Sequence, residues 1–507
     1  MGPDHAETVR DDAVPGSRAL LIVLAGYFLL NFIVRMALPH SLELDEAEQS
    51  YFSQWLLAGY SSQPPLYNWL QYAVVQVFGL SLVTLSLLKN LLLFASYGFY
   101  WLAARQVLRD RQLAAVAALG LLTIPQVAFE AQRDLSHTVA TIFAASLFLY
   151  CFFRALNRPS IASFILLGIA TGIGGIAKYN FIVLPIAAFA AILSDRQWRS
   201  RLLDWRVLLA GAVALLIVLP HALWLVDHFE ATSGHTMRKL VGDDTNPIVA
   251  MLEGFGSLAL ASLGFGALTT VIFAAAYRER LREVIRARND STRLVGRILL
   301  FSLALIVLLI LFAGVERVKD RWLTPILIVL PLYFVVKIDA AAIGLQPGVR
   351  RIWGVALVIM ALIPSILFGR AAVAPITGTY QYSNYPFQAF SEEIRPLTDT
   401  APTLIVASDG QFAGNMRFNF PSTPVTTLST PTDIRSLPMP PHRRILFVWR
   451  NSDGSMPSGF PAGFAQYLQE RGLAGTVPQA RITALPYNNG RPDDRYRFAY
   501  AVVDIPG

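Results

Sequence analysis

The sequence predicts a polytopic α-helical membrane protein of about eleven spans with a C-terminal α/β or α+β domain outside the bilayer. Three observations predict this. The chain is 54% hydrophobic and only 15% charged, where a soluble domain carries about a quarter charged residues, and its mean hydropathy is +0.48. The apolar excess falls into runs close to the ~20 residues that cross a bilayer core as a helix. Arg and Lys collect in alternate loops, the pattern that sets membrane topology.

The elements follow in order. Residues 1–17 form a tail expected in the cytoplasm. The first apolar segment, 18–38, exceeds a signal-peptide core and lacks a small-residue cleavage site, so it reads as a retained anchor. The further spans are expected at 82–102, 113–129, 139–153, 161–176, 181–193, 207–225, 255–275, 298–313, 323–336 and 352–368. Arg105, Arg109 and Arg111, then Arg154 and Arg158, Arg196 to Arg206, Arg278 to Arg297, and Lys337 with Arg350 and Arg351 all fall on one side if the spans alternate. The positive-inside rule makes that side cytoplasmic. The opposite loops and the tail 371–507 are then periplasmic, and the chain is placed in a bacterial inner membrane. Membrane lipids are its permanent partner. The net charge of +8 serves topology and shows no basic face with interleaved aromatics, so nucleic acid is excluded as a partner. The single Cys151 excludes an internal disulfide.

Between the first two spans the pattern changes. Leu44, Ala47, Tyr51, Trp55 and Ala58 recur every three or four residues, predicting an amphipathic helix on the membrane surface that ends at Gly59. Pro64-Pro65 opens a second segment, 66–78, so interfacial helices are expected across 44–78. In the tail, 403–407, 445–449 and 498–503 read as strands and 464–471 as a helix.

The candidate chemistry lies on the outer side. Asp45, Glu46 and Glu48 open the first interfacial helix with no Lys or Arg beside them. An acid in a helix's first turn often only complements the dipole. Three acids at the bilayer surface also suit a general base, because an acceptor hydroxyl is a poor nucleophile until its proton is removed. Glu130-Ala131-Gln132-Arg133-Asp134 packs four polar side chains into a short connection. The two readings of Asp134 are a surface pair with Arg133 and a site acid that orients the base or helps hold a divalent metal through oxygen ligands. No cofactor is demanded, a divalent metal is left open, and no His or Cys spacing suggests zinc. Lys178 either snorkels to headgroups or contacts phosphate. Arg321, in Lys319-Asp320-Arg321-Trp322, either anchors at the interface or forks onto phosphate oxygens. Lys89 lies inside a span and so marks a functional site or a pair with a carboxylate such as Glu253 or Glu316. His221, His228 and His235 read as polar loop residues.

Taken in order, Asp45-Glu46, Gln63-Pro64-Pro65-Leu66-Tyr67, Gln132-Arg133-Asp134, Lys178-Tyr179-Asn180 and Lys319 to Pro325 resemble a family. They look like the GT-C glycosyltransferases related to protein O-mannosyltransferases and the lipid A aminoarabinose transferase, in the bacterial branch near the lipid A and core galacturonic acid transferases. The resemblance spans about 18–370. It implies a polyprenyl-phosphate sugar donor, a lipid or glycan acceptor, and inverting transfer. It implies Asp45 as base, Asp134 as the second acid, and Lys178, Arg321 and Arg133 as donor-phosphate contacts. Glu46, Gln63 and Tyr67 are then expected at the substrate. The aminoarabinose transferases carry Lys where this chain has Gln63, which argues against that donor.

The competing function is a transporter or flippase of a lipid-linked sugar. It requires ionisable groups at mid-bilayer and related halves with broken helices. Here the unusual charges cluster at outer span ends, and only Lys89 favours transport. A third reading, a binding protein working through its outer domain, leaves the first-loop acids without a role.

Overall fold

The computed structural model describes residues 15–505 apart from 61, 230–246, 345, 429–433, 435, 436, 438, 458 and 474–477. Most of the N-terminal tail, His235 and the middle of the 227–253 loop therefore lie outside the described residues.

Every segment expected to span is helical. Among the described residues eight helices are long and apolar enough to cross a membrane, or nine if a bent pair counts as one span. Ile161–Gly175 and Tyr179–Leu193 are apolar but shorter. The bent pair corrects the expected straight span at 113–129. Gln112–Thr123 and Gln126–Arg133 meet at 78°. Pro125 between them has no N–H to continue the ladder. Beyond it the turn widens, with Ala131 N–H donating to Gln126 C=O.

The bundle begins with α1 (Pro15–Ala37), α2 (Leu44–Phe52), α3 (Leu66–Phe78) and α4 (Leu82–Val107). α4 packs on α1 and on helix Ser136–Asn157. Glycines set a close helix crossing within the bundle. Gly168 and Gly172 of Ile161–Gly175 face Arg206–Asp227 so tightly that a Cβ on Gly168 would lie 2.5 Å from the Ala210 carbonyl oxygen. Close approach through small residues is how helices associate where lipid removes the hydrophobic drive.

The C-terminal domain is a five-stranded sheet: β1 (Thr403–Ala407), β2 (Val425–Thr427), β3 (Arg444–Trp449), β4 (Arg481–Pro486) and β5 (Arg495–Asp504), in the order β2-β1-β3-β5-β4. β1 runs parallel to β2 and β3, and β5 is antiparallel to β3 and β4. β1 and β3 are covered on both faces, which is why they read as continuous apolar runs. Ile405, Leu446 and Phe498 meet Phe387, Phe390 and Phe412 on one face. Leu404, Phe447 and Ala501 meet Phe464 and Tyr467 on the other. Sequence reading missed β2, which is three residues long, and β4, an edge strand with no buried residue.

α2 departs from expectation in two ways. It ends at Phe52, so Trp55 and Ala58 lie beyond it. Its apolar face also does not lie on headgroups. Ala47, Tyr51 and Phe52 are buried, and Tyr51 and Phe52 join the aromatic core of the sheet domain. Helix Gly410–Asn419 sits directly on α2, with Ser50 Oγ donating to Gly414 C=O at 2.9 Å and Leu42 N–H donating to Asn415 Oδ1 at 2.9 Å. The docking replaces lipid contact with a protein core and roofs the first outer loop.

Candidate active site

The site grows from the first turn of α2. Glu43 N-caps this helix in a capping box with Glu46. The turn aims successive side chains about 100° apart. Asp45 points to the connection after Arg133, and Glu46 points into the bundle.

Asp134 braces the Asp45 backbone, and Asp45 in turn braces the backbone of Ser136. The Asp45 N–H donates to Asp134 Oδ1 at 2.9 Å, and Asp45 Oδ2 accepts from the Ser136 N–H at 2.7 Å. Leu135 between Asp134 and Ser136 has φ 66° and ψ 50°. That left-handed geometry is strained for a branched side chain and concentrates at functional sites. Here it aims Ser136 N–H at Asp45. Among the described residues no hydrogen bond reaches Asp45 Oδ1. Asp45 is half-buried, whereas Asp134 is 7% exposed.

The cations converge from two other loops. Lys178 is buried and its Nζ donates to Thr138 Oγ1 at 3.1 Å. Arg321 is exposed on the turn Asp320–Leu323. Asn180 ties the loops together, its Nδ2 donating to Trp322 C=O at 2.5 Å. The Leu66 N–H donates to Ile176 C=O at 2.9 Å, which brings the Pro-Pro segment beside the Lys178 turn.

The electrostatics differ along the pair. Burial raises Asp45 above the ordinary carboxylate range, while the Ser136 N–H and the charges of Lys89, Lys178 and Arg321 oppose that rise. Burial and the neighbouring charge of Asp45 push Asp134 well above its ordinary value. Both carboxyls are thus raised, Asp134 the more strongly because the cations near Asp45 oppose its rise. Burial and the neighbouring Arg321 lower Lys178 to about 8.

Other expected residues are placed differently. Glu46 is 2% exposed and spends its carboxylate on Arg35, with Nη2 to Oε2 at 2.8 Å and Nε to Oε1 at 3.0 Å. Lys89 approaches it at 3.8 Å. Burial raises Glu46, but Arg35 and Lys89 outweigh it and hold the carboxyl at about 2. Glu46 is thus committed to an internal ion network, and Lys89 pairs with it rather than with Glu253 or Glu316. Arg133 pairs with Glu130 at 2.6 Å and lines a cleft on the Glu46 side of α2, apart from Lys178. Tyr67 is buried, its hydroxyl bonded to the Ser136 side chain. Gln63 is half-buried at the start of the Pro-Pro segment. His221 is no loop residue: it lies in Arg206–Asp227, buried, with Nδ1 2.9 Å from Ala58 O and Nε2 3.1 Å from the Tyr179 hydroxyl. Among the described residues no three His, Cys, Asp or Glu side chains come together as a metal site, so a divalent ion finds no such ligand set here.

Sequence reading missed Ser136, whose N–H orients the Asp45 carboxylate, and His137, buried beside Tyr67 with neither ring nitrogen in a hydrogen bond. The polar run Ser136-His137-Thr138 at the start of an apolar helix was the available signal.

Similarity supplies the lineage. A family model described as dolichyl-phosphate-mannose-protein mannosyltransferase matches residues 62–224. The lipopolysaccharide core galacturonosyltransferase RgtB of Rhizobium johnstonii is 46% identical over 492 residues, covering 96% of this chain and 98% of that protein. The chain belongs to the GT-C glycosyltransferases, in the bacterial branch with the core galacturonosyltransferases. RgtA of the same organism is 46% identical over 486 residues, covering 95% of this glycosyltransferase and 96% of its relative. ArnT from Cupriavidus metallidurans, solved bound to undecaprenyl phosphate, shares the GT-C fold with a TM-score of 0.56 at 14% identity, covering 95% of this chain and 98% of that one. This multi-pass membrane glycosyltransferase thus keeps the family architecture across nearly its whole length.

Proposed function

We propose that this enzyme transfers a galacturonosyl group, with inversion, from a polyprenyl-phosphate donor to a hydroxyl of lipopolysaccharide core at the periplasmic face of the bacterial inner membrane. The relatives' activity supplies the sugar and acceptor class. The observation that carries the chemistry is Asp45, held by the Ser136 N–H with Oδ1 left over and with Lys178 and Arg321 in its field.

In the proposed step Asp45 takes the acceptor proton as the acceptor oxygen bonds to the sugar's anomeric carbon. The bond from that carbon to the phosphate oxygen breaks, and its electron pair leaves with the polyprenyl phosphate. Lys178 and Arg321 neutralise the charge that develops there, an electrostatic contribution that a site shielded from bulk water strengthens. Asp134 holds the Asp45 backbone by accepting from its N–H. Gln63 and Tyr67 border the sugar. Lys89 no longer favours transport, because its neighbour Glu46 explains its burial.

The test is transfer in lipid nanodiscs from a polyprenyl-phosphate galacturonic acid to core lipopolysaccharide. Asp45→Asn is expected to abolish transfer while donor binding persists. Undiminished transfer in that variant rejects Asp45 as base, and absence of transfer by the unaltered enzyme from this donor rejects the donor.

A further inference from the structure

Asp45 and Glu46 project about 100° apart from one helical turn, and a cleft opens on the Glu46 side. This narrow cleft, about 50 Å3, lies between α1, α4, helix Gln346–Ala372 and the first segment of the sheet domain.

Its charges do not balance. Arg35, Lys89, Arg133 and Arg370 line it against only Glu43 and Glu46. Arg35 and Lys89 share Glu46. Arg133 has Glu130. Arg370 closes the last turn of Gln346–Ala372, lies 5.7 Å above the Phe129 ring, and donates to the neutral Gln381 Oε1. Among the described residues no carboxylate lies within ion-pair distance of Arg370. Glu43 feels the charges of Arg35, Arg370 and Arg133, but burial and the adjacent Glu46 outweigh them and raise its carboxyl, so it is a weak counter-charge. Two polar atoms are also left over: Arg133 Nε and Asn31 Oδ1 are buried without a hydrogen-bond partner. Asn31 is 4% exposed and lines the same cavity. A guanidinium with an unused Nε beside an unneutralised guanidinium is a fork for a carboxylate or phosphate, and a bare amide oxygen accepts from a sugar hydroxyl.

Inverting displacement brings the acceptor oxygen to the carbon opposite the leaving phosphate. Lys178 and Arg321 stand on the Asp45 side of α2. Arg133 and Arg370 are set apart from those donor-phosphate cations, which leaves them for an anionic group elsewhere on the acceptor while its reacting hydroxyl reaches Asp45. Resting on the transfer reaction proposed above, we infer that Arg133 and Arg370 bind an anionic group, carboxylate or phosphate, of the acceptor glycan, with Asn31 taking a neighbouring hydroxyl. An interface anchor at Arg370 would explain its charge alone, but not the cavity or the orphan atoms beside it.

The test separates binding from turnover. Full-length protein in nanodiscs is titrated calorimetrically, without donor, with three probes: deacylated core oligosaccharide, the same sugar after carboxyl reduction, and the same sugar after phosphatase treatment. Arg370→Gln and Arg133→Gln are each expected to weaken intact oligosaccharide about tenfold or more, as loss of a hydrogen bond to a charged group does. They should leave unchanged the affinity of whichever probe has lost the recognised group, so carboxyl reduction and phosphate removal distinguish the two sources. In kinetics, acceptor KM rises while donor KM stays constant. Equal loss on all three probes, no loss on any, or a rise in donor KM overturns the inference. Because the titration needs no donor, selective binding by an inert enzyme would retain this site while rejecting the proposed reaction, and transfer with no selectivity in the variants would do the reverse.

Discussion

The Asp45 N–H donates to Asp134 Oδ1 while Asp45 Oδ2 accepts from the Ser136 N–H, two residues beyond Asp134. The two loops thus clasp each other, and the Asp45 carboxylate is positioned by backbone rather than by a flexible side chain. Asp134→Ala should cut kcat about tenfold or more and leave donor KM near its original value, since general-base positioning acts on the transition state. Steady-state kinetics with both substrates varied checks this. A change confined to donor KM would place Asp134 at the donor instead.

The pH profile should carry the signature of Lys178. With the amine lowered to about 8, it is charged below that pH and neutral above it. Donor kcat/KM should therefore rise through the raised titration of Asp45, reach a plateau, and fall as pH passes about 8. Lys178→Arg should move the falling limb upward, because Arg stays charged beyond pH 12. An unmoved limb would assign it to another group.

Glu46 is a stability residue. Glu46→Gln leaves Arg35 and Lys89 buried without their counter-charge. Breaking a buried pair from one side costs about 3–5 kcal/mol. A lowered unfolding midpoint in detergent is expected for Glu46→Gln, and restoration in the double variant Glu46→Gln/Arg35→Met would identify Arg35 as the stranded charge. A wild-type midpoint in the single variant contradicts the assignment.

The sheet domain is expected to peel from α2 when Gly414 gains a side chain. A Cβ there would stand 2.0 Å from the Ala47 carbonyl oxygen, which is backbone and cannot swing aside. Gly414→Ala should cost about 1–3 kcal/mol as overpacking. It should also loosen α2 in hydrogen–deuterium exchange around residues 44–52. Unchanged protection there would show that α2 stands without its roof.

Much of the molecule was legible from composition and periodicity. Apolar runs gave the helices because a bilayer allows a span to satisfy its backbone only within itself. α3 begins at Leu66 because Pro64-Pro65 bars an earlier helix, and β1 was readable because a strand buried on both faces is wholly apolar. The acids and cations of the site were visible one by one, since charges are rare beside a membrane and each is conspicuous.

What the chain order could not disclose was pairing. By itself the sequence determined that Asp45, Asp134, Lys178 and Arg321 lie in or beside connections between the spans of a helical bundle. Only the tertiary structure decided that Asp45 meets Ser136 while its neighbour Glu46 turns inward to Arg35 and Lys89. It alone carried Arg133 to Arg370 across more than two hundred residues. Local pattern sets which helix forms and which face is polar. The partner met by each side chain depends on how helices distant in sequence rotate and pack, and on a sheet domain landing on α2 where lipid was expected.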